Sequence, residues 1–273
     1  MRKYYAIFKV FLIFMIFEDS TLSASTSILY SSEVEAVIFD CDGVLVDTEY
    51  LKFLAWQEAL ASKNIVFVIE EYRPLVGHSS KNILFMLKQL KNIDIPEEVI
   101  DLKNAKYRTL QKQGVSPIKE VVAFARRLIE KKQHLGIKVG VASSAPSEEI
   151  FQNLRQIGLE NAFDLIISGS DDLDSYADKE GKNKPKPYIY IEAAKRLNVS
   201  PSKCLVFEDT TAGIEAATTA GMIAVAIPNR FTSQQDFSKA VKVIGSYRDL
   251  PTFKRSPLTR RLLETSESRD ENE

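Results

Sequence analysis

At 273 residues, 45% of them hydrophobic, the chain is long enough for one large domain or for a core with a smaller companion. A formal net charge of -1 excludes a broad cationic field, so nucleic acid is not expected as a partner. Any anionic ligand must instead be met by local lysines and a metal.

Near the N-terminus, Arg2 and Lys3 precede an apolar stretch that is cleanest over residues 10–17. Glu18, Asp19 and Ser20 break it, and Ser23, Ala24 and Ser25 follow as small residues. That layout fits a secretory or targeting signal, and equally an upstream extension outside the fold. Lys9 interrupts the run, which is too short for a stable membrane span. Residues 1–33 are therefore set apart as leader or extension, and the folded protein is expected in the cytoplasm unless that segment directs it elsewhere.

Residues 34–39 form a β-rich run that leads into Asp40-Cys41-Asp42-Gly43. Leu51, Leu54, Ala55 and Ala59 then recur at helical spacing, as do Ile83, Leu84, Leu87 and Leu90 after the breakers Pro74 and Gly77. Pro96, Glu97 and Glu98 open a further helix, with proline in the first turn and acids near the positive end. After Pro117 the pattern alternates: helix over 121–130, strand over 137–142, helix over 147–157, strand over 163–168. Helix 187–197, strand 204–208, helix 211–220 closed by Gly221, and strand 222–227 complete it. Such alternation implies right-handed βαβ crossovers and a parallel sheet covered on both faces. The expected fold class is α/β: a doubly wound parallel-sheet core from 34–48 and 116–250. An α-helical cap is inserted at 49–115, and a flexible tail occupies 251–273.

Cys41 follows one strand and Cys204 begins another. In a parallel sheet they lie at opposite ends, about 17 Å apart, beyond the roughly 7 Å Cα limit of a disulfide, so two reduced thiols are expected.

Ligands of open parallel sheets bind beyond the carboxyl ends of the strands. Those ends are Asp40, Ser143, Gly169 and Glu208-Asp209. Carboxylates ending separate buried strands repel unless a cation or a proton intervenes, and hard oxygen ligands favour magnesium. Alternate residues of an extended segment point the same way, so Asp40 and Asp42 can serve one site while Gly43 permits the turn that follows. A metal-bound carboxylate there can attack phosphorus, and its neighbour can protonate the leaving oxygen.

Four motifs stand in order: Asp40-x-Asp42-Gly43-x-Leu45-x-Asp47-Thr48, a strand ending in Ser143-Ser144, Lys184-Pro185-x-Pro187, and Glu208-Asp209-Thr210-x-x-Gly213. With these the chain resembles the haloacid dehalogenase superfamily, and within it the helical-cap subfamily of CbbY-like and β-phosphoglucomutase-like enzymes. The resemblance covers residues 34–250. It implies a magnesium-dependent phosphatase acting on a small phosphorylated metabolite, a sugar phosphate or bisphosphate, as a monomer or weak homo-oligomer. It further implies Asp40 as nucleophile, Asp42 as general acid/base, and Ser143, Ser144 and Lys184 as phosphate ligands. Asp40, Asp42 (through its carbonyl), Glu208 and Asp209 would be the magnesium ligands. In the cap, Lys52, His78, Ser80 and Lys81 are substrate candidates, and Trp56 is expected in the cap core.

Each piece has a plainer reading alone: Ser143 as a helix N-cap, Lys184 as a solvated loop lysine, Glu208-Asp209 as caps of the next helix, Gly213 as room for helix packing. The rivals to hydrolysis are a phosphoglucomutase-type isomerase and a catalytically silent binding protein. β-Phosphoglucomutase has a histidine where Lys52 stands, an arginine near Ser80, and Ser-Lys-Asn where Ala145-Pro146-Ser147 stands, so hydrolysis is favoured. Tyr188 follows Pro187 where the subfamily commonly has aspartate. The acidic loop 169–183 is read as a solvated insertion, with the site rim as its alternative role.

Overall fold

The computed structural model describes residues 34–179 and 181–245. Its strands are β1 (Ala36–Phe39), β2 (Val46–Asp47), β3 (Ser116–Pro117), β4 (Lys138–Ser143), β5 (Leu165–Ser168), β6 (Cys204–Glu208), β7 (Ile223–Ala226) and β8 (Lys242–Val243). Six of them form one sheet in the order β5-β4-β1-β6-β7-β8, and every pairing in it is parallel. The helices are α1 (Glu49–Ala61), α2 (Ile69–Tyr72), α3 (Ser80–Lys91), α4 (Glu98–Gln113), α5 (Lys119–Leu135), α6 (Ser147–Gln156), α7 (Tyr188–Leu197) and α8 (Thr211–Thr219).

The central strand shows why the sheet is covered twice. Val37 and Phe39 join an apolar cluster with Val121, Phe124 and Leu128 of α5 and Ile150 and Leu154 of α6. Ala36 and Ile38, on the opposite face, join Ile189, Ala193 and Leu197 of α7 and Ile214 and Ala217 of α8. Period-two alternation in a strand buried on both faces produces this division. Phe39 stacks on Phe207 at 5.2 Å between ring centres, and Phe124 meets Phe207 edge-on at 5.5 Å.

β2 and β3 form a small antiparallel ribbon at the point where the chain leaves for α1–α4 and returns. Those four helices enclose their own apolar cluster, which contains Phe53, Trp56, Leu60, Tyr72, Leu87 and Val99. Phe231, from the loop after β7, belongs to the same cluster and meets Tyr72 edge-on at 6.2 Å. α4 stops at Gly114, whose φ of +136° suits a residue without Cβ.

Several boundaries differ from the sequence reading. α5 runs from Lys119 to Leu135, longer than the expected 121–130, and ends at Gly136 in the left-handed region. β5 starts at Leu165 because Asp164 turns its carboxylate to accept from the Val139 N–H at 2.8 Å. The edge strand β8 is two exposed residues without apolar alternation, so nothing in the sequence marks it. Cys41 and Cys204 are free and buried, at opposite ends of the sheet, as expected. Among the described residues no helix is long and apolar enough to cross a membrane. The expectations for residues 1–33 and for the tail lie outside the described residues.

Candidate active site

The parallel register brings the strand ends to one edge, where Asp40 follows β1 and donates its N–H to the Phe207 carbonyl at 2.9 Å. Lys184 enters from the loop before α7 and is 6% exposed. Its Nζ donates to Asp40 Oδ1 at 2.6 Å, to Glu208 Oε1 at 2.6 Å and to the Ala142 carbonyl at 3.1 Å. Lys184 is therefore no solvated loop residue. Burial works against its charge, yet Asp40 and Glu208 together hold its pKa well above the usual lysine value.

Glu208 is engaged on both oxygens. Oε1 also accepts from the Tyr190 hydroxyl at 2.9 Å. Oε2 accepts from the N–H groups of Asp209 and Thr210, at 3.1 and 3.3 Å, and from the Thr210 hydroxyl at 3.1 Å. A Cβ on Gly213 would lie 1.9 Å from the Glu208 carboxyl carbon. This glycine makes room for a carboxylate, where the sequence reading gave it to helix packing. Thr210 caps α8 by accepting from the Gly213 N–H at 3.0 Å.

Asp209 is buried and less committed. Its Oδ2 accepts from Asn229 Nδ2 at 2.7 Å and lies 2.2 Å from where a Gly43 Cβ would be. Gly43 is thus required twice, by its φ of +82° and by the carboxylate lying against it. Burial raises the Asp40 pKa to about 7, with Glu208 and Asp42 adding to the rise and Lys184 opposing it. Burial, then Glu208 and Asp40, push Asp209 well above the usual carboxylate range.

Two buried carboxylates so strongly held toward their protonated forms are what a bound cation would relieve. Among the described residues no group of three His, Cys, Asp or Glu side chains forms a closed metal cage. Magnesium does not need one, since it commonly uses one or two carboxylates and keeps several waters. The hard oxygens of Asp40 and Asp209 fit that ion.

Asp42 faces a different set of groups. Its Oδ1 accepts from the Thr48 hydroxyl at 2.6 Å and from Asn153 Nδ2 at 3.4 Å, and lies 3.6 Å from Lys52 Nζ. Its Oδ2 accepts from the Ser143 hydroxyl at 3.3 Å, while Ser143 Oγ accepts from the Ala145 N–H. Ser143 therefore turns to Asp42 and does not cap α6, whose first N–H, on Ser147, goes to Asp171 Oδ2 at 2.7 Å. Ser144 is half-buried beside Gly169. Lys52 pairs with Glu49 at 2.7 Å, and Glu49 accepts from the Tyr72 hydroxyl at 2.9 Å.

Three of the four expected cap residues stay at the periphery. His78 and Lys81 are exposed and Ser80 is half-buried, and no described hydrogen bond or ion pair joins them to Asp40 or Asp42. Gly77 packs close to Thr210, which places that loop over the residue following Asp209. Trp56 lies in the insertion's core as expected.

The sequence reading missed Glu49, Lys103, Tyr107, Gln111, Asn153 and Asn229. Lys103 is 9% exposed, with Nζ 5.8 Å from the Trp56 ring and 5.5 Å from that of Tyr107. Burial, aided by Lys52, lowers its pKa to about 8. The Tyr107 hydroxyl is buried without a hydrogen-bond partner. A signal existed: Val99, Lys103, Tyr107 and Gln111 are four residues apart, a single buried row along α4. Polar residues on an apolar row mark a site facing inward.

The loop 169–183 is tied down by its acids and is not simply solvated. Besides capping α6 through Asp171, it pairs Asp172 with Arg196 at 2.9 Å and accepts from the Tyr188 hydroxyl at Asp178, 2.9 Å away. Tyr188 also packs on Tyr176, so the residue after Pro187 anchors this loop.

Residues 37–227 match the family model described as haloacid dehalogenase-like hydrolase. The chain is 33% identical over 189 residues to a phosphorylated carbohydrates phosphatase of Thermotoga maritima, covering 69% of this chain and 82% of that one. It is 33% identical over 200 residues to a β-phosphoglucomutase of Bacillus subtilis, covering 71% and 83%. The crystal structure of CbbY from Rhodobacter sphaeroides in complex with phosphate superimposes with a TM-score of 0.66 at 25% identity. That match covers 80% of this chain and all of CbbY.

Proposed function

Because the chain belongs to the haloacid dehalogenase-like hydrolase family, we propose that it is a magnesium-dependent phosphatase of a small phosphorylated carbohydrate, working through Asp40. The observation that carries this reading is the division of labour between two carboxylates two residues apart. Asp40 is gripped by Lys184, and Asp42 by Thr48 and Ser143 of the core with Lys52 of the insertion beside it.

In the first step an Asp40 oxygen attacks phosphorus while the bond to the leaving oxygen breaks, and that oxygen takes a proton from Asp42. In the second, Asp42 takes a proton from water, which attacks the aspartyl-phosphate and restores Asp40. Lys184, with Ser143 and Ser144, meets the phosphoryl oxygens. Magnesium, held by Asp40, Asp209 and the Asp42 carbonyl, would supply the positive charge that offsets those oxygens. Glu208 acts behind them, fixing Lys184 and the start of α8. The insertion serves as the cap, with Lys52, Lys103 and Tyr107 offering donors to a polyhydroxylated anion and His78, Ser80 and Lys81 at its rim.

The test follows β-glucose 1-phosphate with a trace of glucose 1,6-bisphosphate by phosphorus NMR, with magnesium and with excess chelator. Release of inorganic phosphate that chelator abolishes is expected. Rapid conversion to glucose 6-phosphate with negligible free phosphate would make the protein a mutase, and full activity in chelator would remove the metal from the scheme.

A further inference from the structure

Gln111, two residues before the end of α4, places Nε2 2.9 Å from the Glu149 carbonyl and 2.8 Å from Asn153 Oδ1. A main-chain carbonyl only accepts, so the Gln111 amide has one workable orientation, with its NH₂ toward α6. That presents a donor to Asn153, whose oxygen must turn to receive it. The Asn153 NH₂ is left facing Asp42 Oδ1 at 3.4 Å, a long contact of the kind that tightens when substrate binds. Asn153 is fully buried and Gln111 nearly so. Gln156 adds a second tie between the two helices, donating to the Gln111 carbonyl at 2.8 Å and accepting from the Val115 N–H at 2.7 Å. A fixed chain of amides thus runs from the helical insertion, through a core helix, to the carboxylate assigned the proton transfers.

We propose that Asn153, oriented by Gln111, is a positioning residue that aims the Asp42 carboxyl at the leaving-group oxygen and ties that aim to the seating of α4 on the core. The proposal rests on the reading of Asp42 as general acid. Thr48 and Ser143 hold Asp42 from the core and Lys52 faces it from α1 at 3.6 Å, whereas this chain of amides links Asp42 to α4. Lys184, Asp40 and Asp209 take no part in it, so binding of the phosphoryl group is left alone.

The experiment compares wild type, Asn153→Leu, Gln111→Met and the double variant on an alkyl phosphate and on p-nitrophenyl phosphate, with saturating magnesium. p-Nitrophenolate leaves without a proton, so only the alkyl ester reports on the acid. In Asn153→Leu we expect kcat/KM, which reports only the steps up to the aspartyl-phosphate and not its Asp42-assisted hydrolysis, to fall at least tenfold on the alkyl ester, with less than a twofold change on the nitrophenyl ester. Gln111→Met should show the same selectivity at about threefold, and the double variant should be no worse than Asn153→Leu alone. Should Asn153→Leu fail to fold, the selectivity of Gln111→Met decides. Equal losses on both esters, or no loss on either, would overturn the positioning role. Asp42→Asn is run in parallel. If it too leaves the ratio of the two rates unmoved, the acid reading has failed; if it shifts the ratio and the amide variants do not, only this inference falls.

Discussion

Lys184 and Lys103 are both buried lysines bordering the same site, and they are built on opposite terms. Lys184 has a carboxylate on either side at 2.6 Å, a main-chain carbonyl and the face of Tyr190. Lys103 has two aromatic rings and the Asn104 amide oxygen at 3.3 Å, and no ion pair among the described residues. The first is ion-paired on both sides by groups of the protein itself. The second carries a charge favoured only at longer range by Glu149, Glu49 and Asp42, next to a tyrosine hydroxyl without a hydrogen-bond partner. A buried group kept at such a cost is explained if the missing partner arrives with the substrate.

The largest effect should come from the ion-paired side. Asp40→Asn removes the proposed nucleophile and should lower phosphatase turnover by on the order of 10⁴-fold or more, with circular dichroism unchanged. Near-wild-type activity in a cleanly purified variant would end the assignment. Lys184→Met should lose activity and stability together, because Asp40 and Glu208 are left buried and facing each other. Breaking such a pair costs about 3–5 kcal/mol, readable by urea unfolding.

The same substitution on the other lysine should act in the opposite sense. Lys103→Met removes a desolvated cation and keeps its packing, so unfolding should become harder by about 1–2 kcal/mol while KM for a sugar phosphate rises. A stability loss like that of Lys184→Met would erase the distinction between the two clusters. The smallest effect is its pH dependence. The folded pKa of Lys103, about 8, lies below the ordinary 10.5, so between those values the unfolded chain holds the proton that the folded one has released. Wild-type stability therefore gains on the variant as pH rises through that window. The variant's advantage should be full below about pH 8 and fade toward pH 10.5, as paired denaturation curves would show.

The contrast also explains what could be read from the sequence. Asp40, Asp42, Lys184 and Glu208-Asp209 stand at the ends of β-runs or in short spaced motifs, and strand periodicity carries them to one edge. Lys103 and Gln111 sit in a helix rich in charged residues, where a lysine is ordinarily solvated, and only the four-residue row gives them away. Asn153 and Asn229 have no local signal at all, because their meaning comes from partners 111 and 20 residues distant in the chain. Likewise the acids of 169–183 read as solvated because their partners Arg196, Tyr188 and the start of α6 become neighbours only after folding. Glu208 was legible as a site residue, but not that both of its oxygens would be engaged.

Phe231 gives the helical insertion a boundary that differs from its stretch of sequence. The apolar cluster of α1–α4 is completed by a side chain that arrives more than a hundred residues later, on the loop that also carries Asn229 to Asp209. Residues 49–115 are therefore not a transplantable cassette. A chimera that exchanges them for the insertion of a relative would leave the Phe231 ring facing a surface shaped for another side chain, and the error would reach Asp209 through two intervening residues. Recombination between such enzymes, in the laboratory or in evolution, should succeed when the loop from 228 to 237 travels with the helices.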